Sequence, residues 1–473
     1  MKKMLTAFCL AAGMTGHAQD KDCGCAGHFQ FVKTYMENNH AGFSDNVPEE
    51  RRAAYGAFCR DISDSIASDR CHSRCSEFID RYLKYFDDHH IYIDEPFPFI
   101  NDKDSATVAR FRKSAAFGST PRMTLGDEAL ESLRGRKSDD IEGIYYSYPY
   151  PDYTLAVVQD GGVYKGIVLS SATPLWDKGQ VKFVLTPSEG PAFSARISVR
   201  DHSQQTKTVV FHAGTLDGLF LSKNPTAITP SSPFAFRPLN DSVNYIQVIS
   251  FMGPLYNNLD SFYKIHSREI TSCPYLVIDI RDNPGGAEKC YQGLLDFVYT
   301  DPIRNDNSEI YVTPDNLRVY RQELDKIRAD SAGYGESALA DIRKYVAEMQ
   351  RARPHTYVPM DGDQVTYNRR DTVYAYPRKV VLLYNRNTAS SAESLILDAM
   401  QSRKVVTAGE NSGGYLGYGN VFAVPVPHSD MTLGCTTTRS PNRRQYEKVG
   451  IPPQVRFGVN SDWVKEAVGL MRP

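Results

Sequence analysis

Thr388-Ala389-Ser390-Ser391-Ala392-Glu393 is the stretch on which the reading of this chain turns. The residues before it, Lys379-Val380-Val381-Leu382-Leu383-Tyr384, form a short, apolar, β-branched run of the kind that makes a buried strand. After it, Leu395, Ile396 and Ala399 recur at helical spacing and predict a helix over 393–401. Asn385 to Thr388 supply turn and cap chemistry between the two. Ser390 therefore falls where a parallel strand gives way to a helix. Backbone amides are unpaired there and the helix dipole is positive, so developing negative charge is favoured. A serine at such a point is either a cap or a nucleophile, and the local sequence leaves both open.

Working outward, a second strand of the same kind, Tyr275-Leu276-Val277-Ile278-Asp279-Ile280, runs into Arg281-Asp282-Asn283-Pro284-Gly285-Gly286. Glycines after a strand let the backbone approach a substrate closely and aim amides at an oxyanion; a plain tight turn set by Pro284 is the other reading. From about 235 onward, strand and helix alternate, which predicts a mostly parallel sheet with its site at the carboxyl ends of the strands. A charged segment over 315–352 carries Leu317, Tyr320, Leu324 and Ile327 on one helical face and reads as a helical excursion or lid. Residues 120–230 instead show strand runs and an Asp160-Gly161-Gly162 hairpin signal, predicting a small all-β domain, sandwich or barrel. Its Tyr-rich stretch over 145–153 is read either as packing or as a peptide or glycan surface. Residues 19–115 read as helical. Apolar stripes run through Phe29, Val32, Tyr35 and Met36 and through Phe78, Ile79, Tyr82, Leu83 and Phe86, and a strand begins at Ile91-Tyr92-Ile93.

At 473 residues the chain is too long for one core. Lys+Arg of 54 against Asp+Glu of 56 gives a net charge of −2, with no basic run, so nucleic acid is not an expected partner. Met1-Lys2-Lys3, an apolar run over 4–14 and a small-residue site before Gln19 predict a signal peptide over 1–18, and hence an exported protein, periplasmic or extracellular. No later run is long and apolar enough to cross a membrane. Eight cysteines would follow the cut: Cys23, Cys25, Cys59, Cys71 and Cys75 early, Cys273, Cys290 and Cys435 late. In an exported chain disulfides are the default, and five plus three leaves one link between the groups or two free thiols. Cys71-His72-Ser73-Arg74-Cys75 has weak zinc spacing.

Taken in order, these landmarks resemble those of the C-terminal processing (tail-specific) serine peptidases. Residues 275–286 resemble the family's strand ending in Arg-x-Asn-x-Gly-Gly, and 388–393 its nucleophile segment, whose serine lies three residues before a glutamate and so corresponds to Ser390. Residues 243–251, Glu410-Asn411-Ser412-Gly413-Gly414 and Val449-Gly450-Ile451-Pro452-Pro453 resemble further landmarks. The resemblance covers about 235–473, with shorter stretches near 30–45 and 83–93. It implies an α/β fold: a crotonase-like core over 235–473, after an N-terminal helical domain (19–115) and the all-β domain (120–230). That all-β domain lacks the loop of a PDZ domain. The tail-specific branch also uses a lysine base, and Gly413-Gly414-Tyr415-Leu416-Gly417-Tyr418-Gly419 holds none. The chain is thus more similar to the tricorn-core and interphotoreceptor-retinoid-binding-like branch, whose base is a histidine in an Asp-x-His motif. Asp87-Asp88-His89 fits, with His90 the alternative by a one-residue slip, and Glu447 matches that branch's C-terminal glutamate.

The resemblance thus implies a serine endopeptidase acting on unstructured polypeptides. Ser390 is its nucleophile, His89 its general base and Glu447 the orienting carboxylate. Amides of Gly285 or Gly286 and of Ser391 hold the oxyanion. Neutral histidine takes a serine proton near physiological pH, which makes the set chemically coherent. No metal or cofactor is expected. The rival expectation is a catalytically inactive member that keeps the fold and binds peptide or a hydrophobic ligand.

Overall fold

The computed structural model describes residues 24–69, 75–95, 100–147, 152–188, 192–212, 214–223, 232–330, 335–360, 362, 365–458 and 461–471. The predicted signal peptide, Cys23, Cys71 to Arg74 and part of the Tyr-rich stretch lie outside them.

The fold is mixed α/β, and a six-stranded sheet forms its centre. Its order is Phe234–Asn240, Val243–Val248, Tyr275–Asp279, Lys379–Tyr384, Val405–Gly409 and Val455–Arg456. The first pair is antiparallel and the rest are parallel, with Tyr275 opposite Lys379 and Val380 opposite Val405. Alternate side chains point to opposite faces. Ile246, Ile278, Val380 and Leu382 pack on one side against Leu259, Leu294, Leu295, Leu395 and Ile396 of the connecting helices. Tyr245, Val277, Val381 and Leu383 pack on the other against Trp463 and Ala467 of the C-terminal helix Trp463–Gly469. Burial of both faces explains why the central strands are continuously apolar rather than alternating.

A second sheet, antiparallel, places Tyr92–Asp94, Thr432–Arg439, Glu309–Val312 and Thr356–Pro359 side by side, with Tyr418–Pro425 also pairing to Thr432–Arg439. The N-terminal helices Cys25–Asn39, Arg52–Ser68 and Cys75–Leu83 share one core with Val424, Leu433 and Cys435 of this sheet and with Val426 and Met431 of the connection between its last two strands in sequence. The helical region is therefore packed onto the C-terminal part of the chain. A disulfide joins Cys25 to Cys75, whose sulfur is thus not available as a zinc ligand. Cys59, Cys273, Cys290 and Cys435 are free thiols. The charged segment forms Pro314–Ala329 and Glu336–Arg351, which bury Val319, Tyr320, Leu324, Ile342 and Val346 against Ile310 and Val312 of the second sheet.

Between the helical region and the central sheet, eight antiparallel strands from Gly143–Ser147 to Leu221–Ser222 close into a barrel, the last pairing with the first at Tyr146 and Ser222. The all-β reading of 120–230 left out one helix, Asp127–Arg134. It is short and solvated, with Leu133 its one buried residue, so it carries little periodicity to read. The barrel meets the core where His212 Nε2 lies 2.9 Å from Glu410 Oε2.

Candidate active site

The strand Lys379–Tyr384 delivers the chain to a turn, and the helix Ser391–Ala399 leaves it, with Ser390 at the cap. The turn is held from the neighbouring strand. Thr388 Oγ1 donates to Ile280 O at 2.9 Å, Ala389 N to Asn283 O at 2.9 Å, and Asp282 N to Asn385 Oδ1 at 3.0 Å. Ser390 has φ 55° and ψ −123°, an uncommon backbone state for a residue with a Cβ. It is held by Glu393, whose buried carboxylate accepts the Ser390 amide at 2.9 Å, the Ser412 hydroxyl at 2.5 Å, and the Gly414 and Tyr415 amides at 2.8 Å each. Burial raises the Glu393 pKa; those donors oppose the shift without cancelling it.

The glycine pair lies against this turn. A Cβ on Gly285 would stand 2.6 Å from Ala389 O and 2.9 Å from both Ser390 Cβ and Ser391 N, and its φ is +91°. On Gly286 it would stand 2.2 Å from Phe251 O. Only glycine fits at either place. The two amides differ in use. Gly285 N donates to Asn283 Oδ1 at 2.9 Å, whereas the Gly286 and Ser391 amides have no acceptor among the described residues. Gly286 and Ser391 are thus the pair open to an oxyanion.

The imidazole within reach of the serine is that of His90, not His89. His90 Nε2 lies 3.3 Å from Ser390 Oγ. The strand Tyr92–Asp94 begins two residues later and is fixed on Thr432–Arg439 by the pairing of Tyr92 with Gly434. Asp88, fully buried, pins the same loop. Its Oδ1 accepts the His90 amide at 2.8 Å and lies 3.9 Å from His90 Nδ1. Its Oδ2 accepts Thr436 Oγ1 at 2.6 Å and faces His40 Nε2 at 2.9 Å. Burial pushes the Asp88 carboxyl up, but His40, His90 and Thr436 outweigh it and the net shift is downward, so Asp88 is a carboxylate at neutral pH. Burial lowers the His90 pKa more than Asp88 raises it, which keeps the ring neutral and able to accept a proton.

His89 instead turns its ring toward Tyr415, centroids 4.7 Å apart, while Tyr415 stands edge-on to His90 at 5.2 Å. Glu447 touches neither imidazole. It is buried, and accepts the His89 amide at 2.8 Å, Leu416 N at 2.9 Å and Gly417 N at 2.6 Å. It fastens the loop that carries His90 to the loop that follows the nucleophile helix. Lys448 Nζ is turned to Phe86 O and Asp87, so it too braces the loop. His40 was not singled out from the sequence as a site residue. It caps the helix Cys25–Asn39, and only its buried ring beside Asp88 gives it a role.

Residues 242–457 match the model of Peptidase family S41. Among solved structures, mature CPAF aligns at 11% identity over 95% of each chain, TM-score 0.49. The photosystem II D1 C-terminal processing protease aligns at 13% over 94% of this chain and 96% of its own, TM-score 0.37. The tricorn protease aligns at 10% over 92% of this chain and 34% of its own, TM-score 0.33. No curated protein matches the chain.

Proposed function

We propose that this chain, whose residues 242–457 match the model of Peptidase family S41, is a serine-type peptidase that hydrolyses peptide bonds of unstructured polypeptides with Ser390 as nucleophile and His90 as general base. The observation that carries this reading is the 3.3 Å approach of His90 Nε2 to Ser390 Oγ. Ser390 Oγ attacks the scissile carbonyl carbon while its proton passes to His90 Nε2. The carbonyl oxygen, now negative, takes hydrogen bonds from the Ser391 and Gly286 amides. His90 then gives the proton to the leaving amine. In the second half it deprotonates a water, whose oxygen attacks the acyl carbon, and His90 returns the proton to Ser390 Oγ as the acyl C–O bond breaks. Asp88, 3.9 Å from His90 Nδ1, stabilises the imidazolium formed in both halves.

Glu447 and Glu393 act through the backbone as positioning residues. The parallel-sheet part is proposed as a crotonase-like core, with the helical region and the barrel as its additions. Ser390 is half-buried beneath the His90 loop, which suits an extended chain better than a folded surface. The Cys25–Cys75 disulfide and the N-terminal leader composition support export, to a periplasmic or extracellular site. No helix among the described residues is long and apolar enough to cross a membrane.

The test is labelling by a fluorophosphonate, followed by turnover of a quenched unstructured peptide. Wild type is expected to label and to cleave, and Ser390→Ala to do neither. Undiminished labelling of Ser390→Ala would sink the assignment of the nucleophile.

A further inference from the structure

One end of the barrel holds a cavity of about 320 Å³, lined by Tyr153, Leu155, Lys182, Phe183, Ile197 and Leu221, with Asp152 and Phe220 also at its wall. These residues come from strand ends that meet at the same rim: the start of Tyr153–Asp160, the start of Val181–Pro187, the end of Ala192–Ser198 and the start of Leu221–Ser222. Leu155, Phe183, Ile197 and Leu221 belong to the barrel core, so the cavity is a continuation of that core toward solvent. An eight-stranded barrel is about wide enough either to fill itself with side chains or to hold one small ligand. Here Phe220, at the rim, is 61% exposed.

The lining is mostly apolar, with Ser147, Asp152 and Lys182 among its polar groups, the last of them the one cation. Lys182 Nζ stands 3.9 Å from the centre of the Trp176 ring and 4.8 Å from that of Tyr153, and donates to Ser198 O at 2.9 Å. No carboxylate among the described residues pairs with it. Arg200, which also acts on it, is cationic and is itself paired with Asp102. Burial, with Arg200 adding to it, pushes the Lys182 pKa down to about 7. The indole nitrogen of Trp176, on which the amine sits, is a buried donor with no acceptor among the described residues. An amine desolvated among rings without its own counter-ion is a costly arrangement for a folded protein to hold. A ligand that brings the missing negative charge on an apolar body would relieve it.

We infer that the barrel end binds a small apolar monocarboxylate, its chain against Leu155, Phe183, Ile197 and Leu221 and its carboxylate on Lys182. This is a site separate from Ser390 and does not rest on the peptidase reading. A polypeptide is the less suitable occupant, because the closed barrel offers no free strand edge to which a peptide backbone could pair.

The experiment is isothermal titration of the full chain with octanoate and with octan-1-ol. Wild type is expected to take up one octanoate per chain, at least tenfold more tightly than octanol. Lys182→Met should lose that preference, and Phe220→Ala, at an exposed position that leaves folding intact, should weaken octanoate several-fold. Ser390→Ala should bind as wild type does. The inference is overturned if wild type shows no saturable binding, if octanol binds as well as octanoate, or if folded Lys182→Met keeps the preference. It is also overturned if a leucine-terminated hexapeptide binds in a Lys182-dependent way at lower concentration than octanoate.

Discussion

His40 and Asp88 meet at 2.9 Å with both side chains wholly withdrawn from solvent, 48 residues apart in sequence. Asp88 also holds the His90 amide and the Thr436 hydroxyl, so one carboxylate joins the first helix, the base-bearing loop and the second sheet. His40→Ala would leave a buried carboxylate short of a donor. Breaking such a pair typically costs about 3–5 kcal/mol. Thermal unfolding should show a large drop in Tm, and kcat should fall with it because His90 loses its anchor. A His40→Ala protein with unchanged Tm and kcat would remove His40 from this account.

The two adjacent histidines should separate cleanly in kinetics. His90→Ala is expected to lower kcat by about 10²–10⁴, the usual contribution of a general base. His89→Ala, which keeps the amide that Glu447 binds, should change kcat only a few-fold. The reverse order would move the base to His89.

Activity should rise with pH on its acid limb. The working form of His90 is neutral, and burial, outweighing the Asp88 charge, lowers its pKa below the ordinary 6.5. The midpoint of kcat/KM against pH is therefore expected below 6.5, and a midpoint above it would contradict the assignment of His90.

Glu447 carries a stability signature of its own. Burial, against the pull of the His89, Gly417 and Leu416 amides, raises its pKa from 4.5 to about 7. Between those two values the folded protein holds a proton that the unfolded chain releases. Stability contributed by this group is therefore present at low pH and lost as pH rises through that window. Urea unfolding at pH 5 and pH 8 should show wild type losing more stability across the interval than Glu447→Gln. Equal losses would mean that Glu447 is ionised throughout.

Gly285→Ala should damage catalysis out of proportion to its size. The added carbon would press on Ala389 O, Ser390 Cβ and Ser391 N, which carry the nucleophile and one oxyanion amide. Loss of one such donor is worth about 10²–10³ in kcat. Gly253→Ala, with open space around its Cβ, is the control and should be silent.

Local pattern made the strand-to-helix turn at Ser390 legible: an apolar strand, a capped turn and a helix lie within twenty residues of one another. The glycine pair was legible for the same reason. The histidine that faces Ser390 was not, because Asp87-Asp88-His89-His90 has no periodicity to say which ring faces inward. That is decided by the pairing of Tyr92 with Gly434 and by the burial of Asp88 against His40, both contacts between distant segments. Glu447 lies close in sequence to Arg443, Arg444 and Lys448, yet it is buried on three amides. Closure of the barrel was equally invisible, since alternating strands fit a sandwich as well until the last strand pairs with the first.

The pairing of Tyr92–Asp94 with Thr432–Gly434 has a consequence for biogenesis. A ribosome makes the histidine loop long before the strand on which it docks. Until residue 434 and its neighbours are available, His90 has no fixed place beside Ser390. The nascent chain thus has no assembled pair of Ser390 and His90 until that strand has been made.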